Sequence, residues 1–128
     1  MGGNGSNARG GEDYQSVDEI CGVAVGVGTG KQHNLPFLSP DGKPRIKLYP
    51  DGIFKQMRIY DENGRPAFDL DYHPESKIEK TPSPRPIFHY HKWLPNGTRS
   101  KAKSASRDIY EQYRQFLKGV EFDEKRYN

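Results

Sequence analysis

The strongest constraint on what this chain folds into is the segment Asp61-Glu62-Asn63-Gly64, set between two runs of β-forming residues. Asn-Gly tolerates positive φ at both positions, so the segment predicts a tight hairpin. Its outgoing arm is Ile53 to Tyr60, with Ile53, Met57 and Ile59 on one face. Its return arm is Arg65 to Tyr72. Strand side chains alternate, so Phe68, Leu70 and Tyr72 share one face while Asp69, Asp71 and His73 fall on the other.

Further turns punctuate the chain at Pro40-Asp41-Gly42, Pro50-Asp51-Gly52 and Pro95-Asn96-Gly97. Between them, Arg45 to Tyr49 reads as a strand. Pro86 to Leu94 is another, with Ile87, His89, His91 and Trp93 on one face and Phe88, Tyr90 and Lys92 on the other. Cys21 to Gly30 alternates valine with glycine, which predicts a strand in close backbone approach or a glycine-rich loop. Tyr14 to Ile20 reads as a short helical turn capped near Ser16. His73 to Arg85, with Pro74, Pro82 and Pro84, reads as a loop. One helix is predicted over Ser106 to Lys118. Ile109, Tyr113, Phe116 and Leu117 form its core-facing stripe, Ser106 caps it, and Gly119 ends it. The expected fold class is α+β: a small antiparallel sheet of hairpin-linked strands with one C-terminal helix packed on it. Residues 1–13, rich in Gly, Asn and Ser, read as a flexible tail, and 14–128 as a single domain.

Composition limits the rest. Only 32% of the 128 residues are hydrophobic, so the core is modest, although eight Tyr, six Phe and one Trp enlarge what it can bury. The net charge of +3 permits an acidic partner without requiring one. The single cysteine, Cys21, excludes an intrachain disulfide and is expected to be a buried, inert thiol; this favours a reducing, cytoplasmic setting. No run is long enough to span a bilayer, and the first residues lack the pattern of a signal peptide. Gly28-Thr29-Gly30-Lys31 is not a nucleotide-binding loop, because Gln32 stands where Ser or Thr is needed and Pro36 and Pro40 block a following helix.

Chemistry concentrates between Asp69 and Ser100. His89-Tyr90-His91 sets two imidazoles on one strand face, about 7 Å apart. Asp69, Asp71 and His73 share a face of the return arm. If the two strands are neighbours in register, the five side chains converge. Such a cluster suits two chemistries. One is a divalent metal site, zinc or manganese, with Asp69, Asp71 and His73 as ligands. The other is cleavage of a phosphodiester with His89, His91 and His73 as catalytic acid and base groups. In either, Lys92, Arg85, Thr98, Arg99, Ser100 and Lys101 are the candidate phosphate contacts. Trp93 reads as core, and His33 stands isolated.

The ordered set Tyr60-Asp61-Glu62-Asn63-Gly64-Arg65-Pro66, Asp69-Leu70-Asp71-Tyr72-His73 and His89-Tyr90-His91-Lys92-Trp93 resembles a small module of prophages and other mobile elements. Similar modules form C-terminal domains of bacterial polymorphic toxins. The resemblance spans Ile59 to Trp93. It implies a nuclease-like domain acting on RNA or DNA in a host cytoplasm. The alternative it leaves open is a non-catalytic phage or mobile-element protein that binds a host protein or nucleic acid, such as an inhibitor of host defence. A virion assembly role is a third expectation, to which the glycine-rich start is suited.

Overall fold

The computed structural model describes residues 14–28, 35–75, 78 and 85–127. The expected tail (1–13), His33 and the Thr29 to Lys31 part of the glycine loop lie outside them, as does most of the proline-rich connection. Among the described residues the chain forms a seven-stranded sheet in sequence order. The strands are β1 (Tyr14–Ile20), β2 (Val23–Gly28), β3 (Arg45–Leu48), β4 (Phe54–Tyr60), β5 (Pro66–His73), β6 (Ile87–Lys92) and β7 (Lys103–Ser104). All neighbours are antiparallel except β2 and β3, which pair in parallel. The sheet is therefore mixed and larger than expected. A parallel pair needs a crossover, and the long connection after Gly28 supplies one.

The helical turn expected over Tyr14 to Ile20 is instead β1. It pairs with β2 through a two-residue turn in which Cys21 (φ 50°) and Gly22 (φ 82°) both adopt left-handed conformations. That turn geometry matches the twist of a hairpin. It also leaves Cys21 exposed, not buried as its composition suggested.

The β4–β5 hairpin closes differently from a two-residue Asn-Gly turn. Only Gly64 takes positive φ (76°). The Asp61 carboxylate accepts from the backbone N–H groups of Asn63 and Arg65, and the Gly64 N–H donates to the Asp61 carbonyl at 2.9 Å. The aspartate thus does the work that a left-handed Asn63 would have done.

The rows across the sheet separate two faces. Val25, Ile46, Met57, Leu70 and Tyr90 are successive partners across five strands. Together with Phe54, Tyr72 and Phe88, most of this row lies in the hydrophobic core. The C-terminal segment covers this face with Ala105, Leu117 and Val120, and with the partly buried Ile109, Tyr113 and Phe116. Its helix, α1 (Arg107–Tyr113), is shorter than the sequence stripe predicts and continues as a 3-10 turn over Arg114–Phe116. Ser106 caps it, accepting from the Ile109 N–H at 3.2 Å. No helix among the described residues is long and apolar enough to cross a membrane.

The opposite face is polar. Arg45, Arg58, Asp69 and His91 form one of its rows, and Lys47, Gln56, Asp71, His89 and Ser104 the next. This face carries the candidate site.

A histidine and carboxylate cluster on the polar face

Strand register brings the sequence's separated motifs together. Asp69 lies opposite His91, Asp71 opposite His89, and His73 opposite Ile87. Partners across a ladder share a face, so two carboxylates and three imidazoles meet there. The alternate residues Leu70, Tyr72 and Phe88 enter the core and hold the two strands in this register.

Asp71 is the centre of the group. It is buried, and its Oδ2 lies 3.4 Å from His73 Nε2, 3.4 Å from His91 Nε2 and 3.9 Å from His89 Nε2. The other nitrogen of each ring meets a backbone carbonyl: His73 Nδ1 to Pro74 O at 3.0 Å, His89 Nδ1 to Ile87 O at 2.7 Å, His91 Nδ1 to Ser100 O at 2.9 Å. A carbonyl only accepts, so each Nδ1 carries a proton; the Nε2 of His73 is hydrogen-bonded to the Asp71 carboxylate, whereas those of His89 and His91 have no hydrogen-bond partner. The same arrangement orients histidines that bind metals. His89 Nε2, His91 Nε2 and Asp71 Oδ1 are buried without a hydrogen-bond partner. Native interiors rarely leave such atoms unsatisfied, and three of them lie in this one cluster.

Two overlapping groups have ligand atoms close enough to hold an ion: Asp71, His73 and His89, and Glu75, His89 and His91. The 3.4 Å separations match the edge of a tetrahedron whose bonds are about 2.1 Å, the usual zinc–nitrogen length.

Electrostatics separate the rings. Burial pushes His89 down to about 4, so it is neutral near pH 7 and available as a donor of electrons. The contact with Asp71 raises His73, whose side chain is 36% exposed. Burial works against the Asp71 carboxylate, but His73 and the charge of Arg99 outweigh it and hold its pKa below the usual value.

Asp69, expected as a metal ligand, has another role. Both its oxygens are engaged: Arg58 Nε to Oδ1 at 2.8 Å, Arg58 Nη2 to Oδ2 at 3.1 Å, and Arg99 Nη1 to Oδ2 at 3.0 Å. Arg58 also donates to the Leu35 carbonyl at 3.0 Å and lies over the Trp93 ring, 5.1 Å from its centroid. Asp69 therefore anchors a buried arginine. Two residues of this region were missed from sequence. Arg58 could have been found, because Met57 facing the core forces Arg58 onto the polar face. Glu75 continues the every-second-residue series Asp69, Asp71, His73.

Of the expected phosphate contacts, Arg99 places its side chain in the cluster, hydrogen-bonded to Asp69 and to Asp71 Oδ2 at 3.2 Å, and Ser100 reaches it through its backbone carbonyl on His91. Lys92 alternates onto the opposite face of the sheet. The Thr98 hydroxyl closes a turn on Asn96, and the Ser100 hydroxyl accepts from the Lys92 N–H, so both are tied to local backbone structure. Lys101 and Arg85 are exposed; Arg85 precedes β6, and its carbonyl accepts from Arg126. Trp93 is half-buried and packs edge-on to Phe37, 5.7 Å between ring centres.

Comparison with known proteins finds no family model, no curated protein and no solved structure that matches this chain.

Proposed function

We propose that this chain is a divalent-metal-dependent phosphodiesterase acting on nucleic acid, with its centre at Asp71, His73, His89 and His91. One observation carries the reading: three histidines, each fixed at Nδ1 by a backbone carbonyl, turn their Nε2 atoms toward one buried carboxylate. The order of the sequence motifs, which resembles that of toxin-type modules, supports the same reading. A bound ion would polarise phosphate and lower the pKa of a coordinated water. Hydrolysis adds one water across the ester: hydroxide oxygen bonds to phosphorus, the P–O ester bond breaks, and the leaving oxygen takes the proton. The entry side is His73, the most exposed of the three rings. Arg99, 34% exposed beside Asp71, is the cation nearest to a bound phosphate.

The burial of His89 argues against the metal-free alternative. A general base with 0% exposure does not reach a ribose hydroxyl, whereas an ion lodged between the rings does not require it to. The test is cleavage of labelled RNA and labelled DNA by the purified chain. The reaction is run as prepared, after chelation, and after adding back zinc or manganese. Activity that disappears with chelator and returns with metal, and that His91→Ala abolishes, is expected. Unchanged cleavage in chelator, or no cleavage of either polymer with metal restored, contradicts the reading.

A second reading, a non-catalytic binder of a host protein, is favoured by a separate feature. The exposed side chains Phe37, Leu38 and Leu94 line a depression of about 700 Å³ beside Trp93. Exposed apolar surface gathered in one place is characteristic of protein contact sites. In that case Leu38→Glu abolishes capture of the partner while His91→Ala does not.

A further inference from the structure

The cation already present in the cluster is Arg99. Its Nη1 lies 3.2 Å from Asp71 Oδ2 and 3.0 Å from Asp69 Oδ2. The same Asp71 oxygen faces His73 Nε2 and His91 Nε2 at 3.4 Å, the spacing that a tetrahedral ion would bridge. An ion seated among the Nε2 atoms lies against the oxygen that Arg99 now holds, with the unpartnered Oδ1 of the same carboxylate beside it. A divalent ion and a guanidinium on one carboxylate oxygen repel strongly at this distance and burial. Arg99 has a second anchor in Asp69, and its side chain is one-third exposed, so it can give up Asp71 without leaving the site.

We propose that Arg99 is the resident counter-cation of the metal-free centre, and that a divalent ion displaces it from Asp71 so that its guanidinium is released to bind a phosphate oxyanion. This rests on the metal-centre reading above and adds an order to it: metal first, phosphate second. While Arg99 sits on both aspartates, their charges oppose phosphate binding. Once the ion neutralises Asp71, the guanidinium fork has donors to spare for an oxyanion.

The experiment compares the full chain with Arg99→Gln, which removes the charge but keeps a hydrogen-bonding side chain. Zinc affinity is measured by competition with a chromophoric chelator, and inorganic phosphate binding by calorimetry with and without zinc. Arg99→Gln is expected to bind zinc about tenfold more tightly, because a competing cation is gone. Its zinc-dependent phosphate binding is expected to weaken at least about tenfold. Unchanged or weaker zinc binding by a folded Arg99→Gln overturns the proposal. A second arm needs no variant. In the wild-type chain, the Arg99 Nε–H resonance shifts as zinc is titrated if the contact with Asp71 breaks. A resonance that stays put while zinc saturates the site overturns the proposal and leaves the metal centre standing. A wild-type chain that binds no zinc or manganese removes the metal-centre reading, and this proposal with it.

Discussion

Asp69 and Asp71 are two residues apart on one strand and one face, yet their partners give them different roles. Asp69 holds Arg58 and Arg99, whereas Asp71 faces three imidazoles. Asp69→Ala is therefore expected to destabilise the fold by about 3–5 kcal/mol, since it strands the buried Arg58 guanidinium. Asp71→Asn is expected to cost at least about a hundredfold in zinc affinity, with a smaller loss of stability. Urea denaturation and zinc titration of both variants separate the two roles. The rings set a pH dependence. His89 has a folded pKa of about 4 against 6.5 for a free histidine, so between these values the unfolded chain binds more protons. Its stabilisation is complete above about pH 6.5 and is lost as pH falls toward 4, by at most about 1.4 kcal/mol per pH unit. His73 is shifted the other way, so its contribution is present at low pH and is lost as pH rises through its raised pKa. Below about pH 6, where the contribution of His73 is already complete, denaturation midpoints in chelator are thus expected to fall toward pH 4.5, and a flat profile there contradicts the assignment of His89. Much of this scale was legible in the sequence, because alternation puts Asp69, Asp71 and His73 on one face of their strand and His89 and His91 on one face of theirs. Which aspartate faces the histidines was not. That depends on Arg58, which arrives from β4 and claims Asp69.

The hairpin of β4 and β5 was the clearest element in the sequence, and Gly64 is its pivot. A Cβ placed there would collide with the Ser39 carbonyl oxygen, and the backbone is left-handed (φ 76°). Gly64→Ala is expected to cost about 1–2 kcal/mol from the backbone conformation alone, and more from the collision. Thermal denaturation checks this, and a variant as stable as the parent contradicts the packing described for this turn. Elements without such turn chemistry were harder to read. β1 gave no alternation strong enough to outweigh a helical reading, and it exists because β2 offers it an edge. β7 is two residues long and is defined by its pairing with His89 and Tyr90. The parallel β2–β3 pair was hidden for the same reason: adjacency of strands distant in sequence leaves no local signature. The C-terminal helix was correct in its cap and its stripe. It was too long by a turn, because the chain tightens to 3-10 geometry after Tyr113.

At the scale of the whole molecule, the sheet separates two jobs. One face buries the apolar rows under the C-terminal segment, and the other gathers charge and imidazole around Asp71. Among the described residues, buried polar atoms of this cluster stand without hydrogen-bond partners, and an ion held there would engage them. Zinc at about a hundred times its dissociation constant is expected to add about 2.7 kcal/mol, a rise of roughly 10 °C in Tm for a chain of this size. A Tm insensitive to zinc and manganese contradicts that coupling. The most direct measurement is X-ray absorption at the zinc edge of the full chain loaded with one equivalent. The account predicts four nitrogen or oxygen neighbours at about 2.0–2.1 Å, one of them a water, with the outer-shell scattering of two imidazoles. A spectrum without imidazole scattering, or one identical to hydrated zinc, contradicts it.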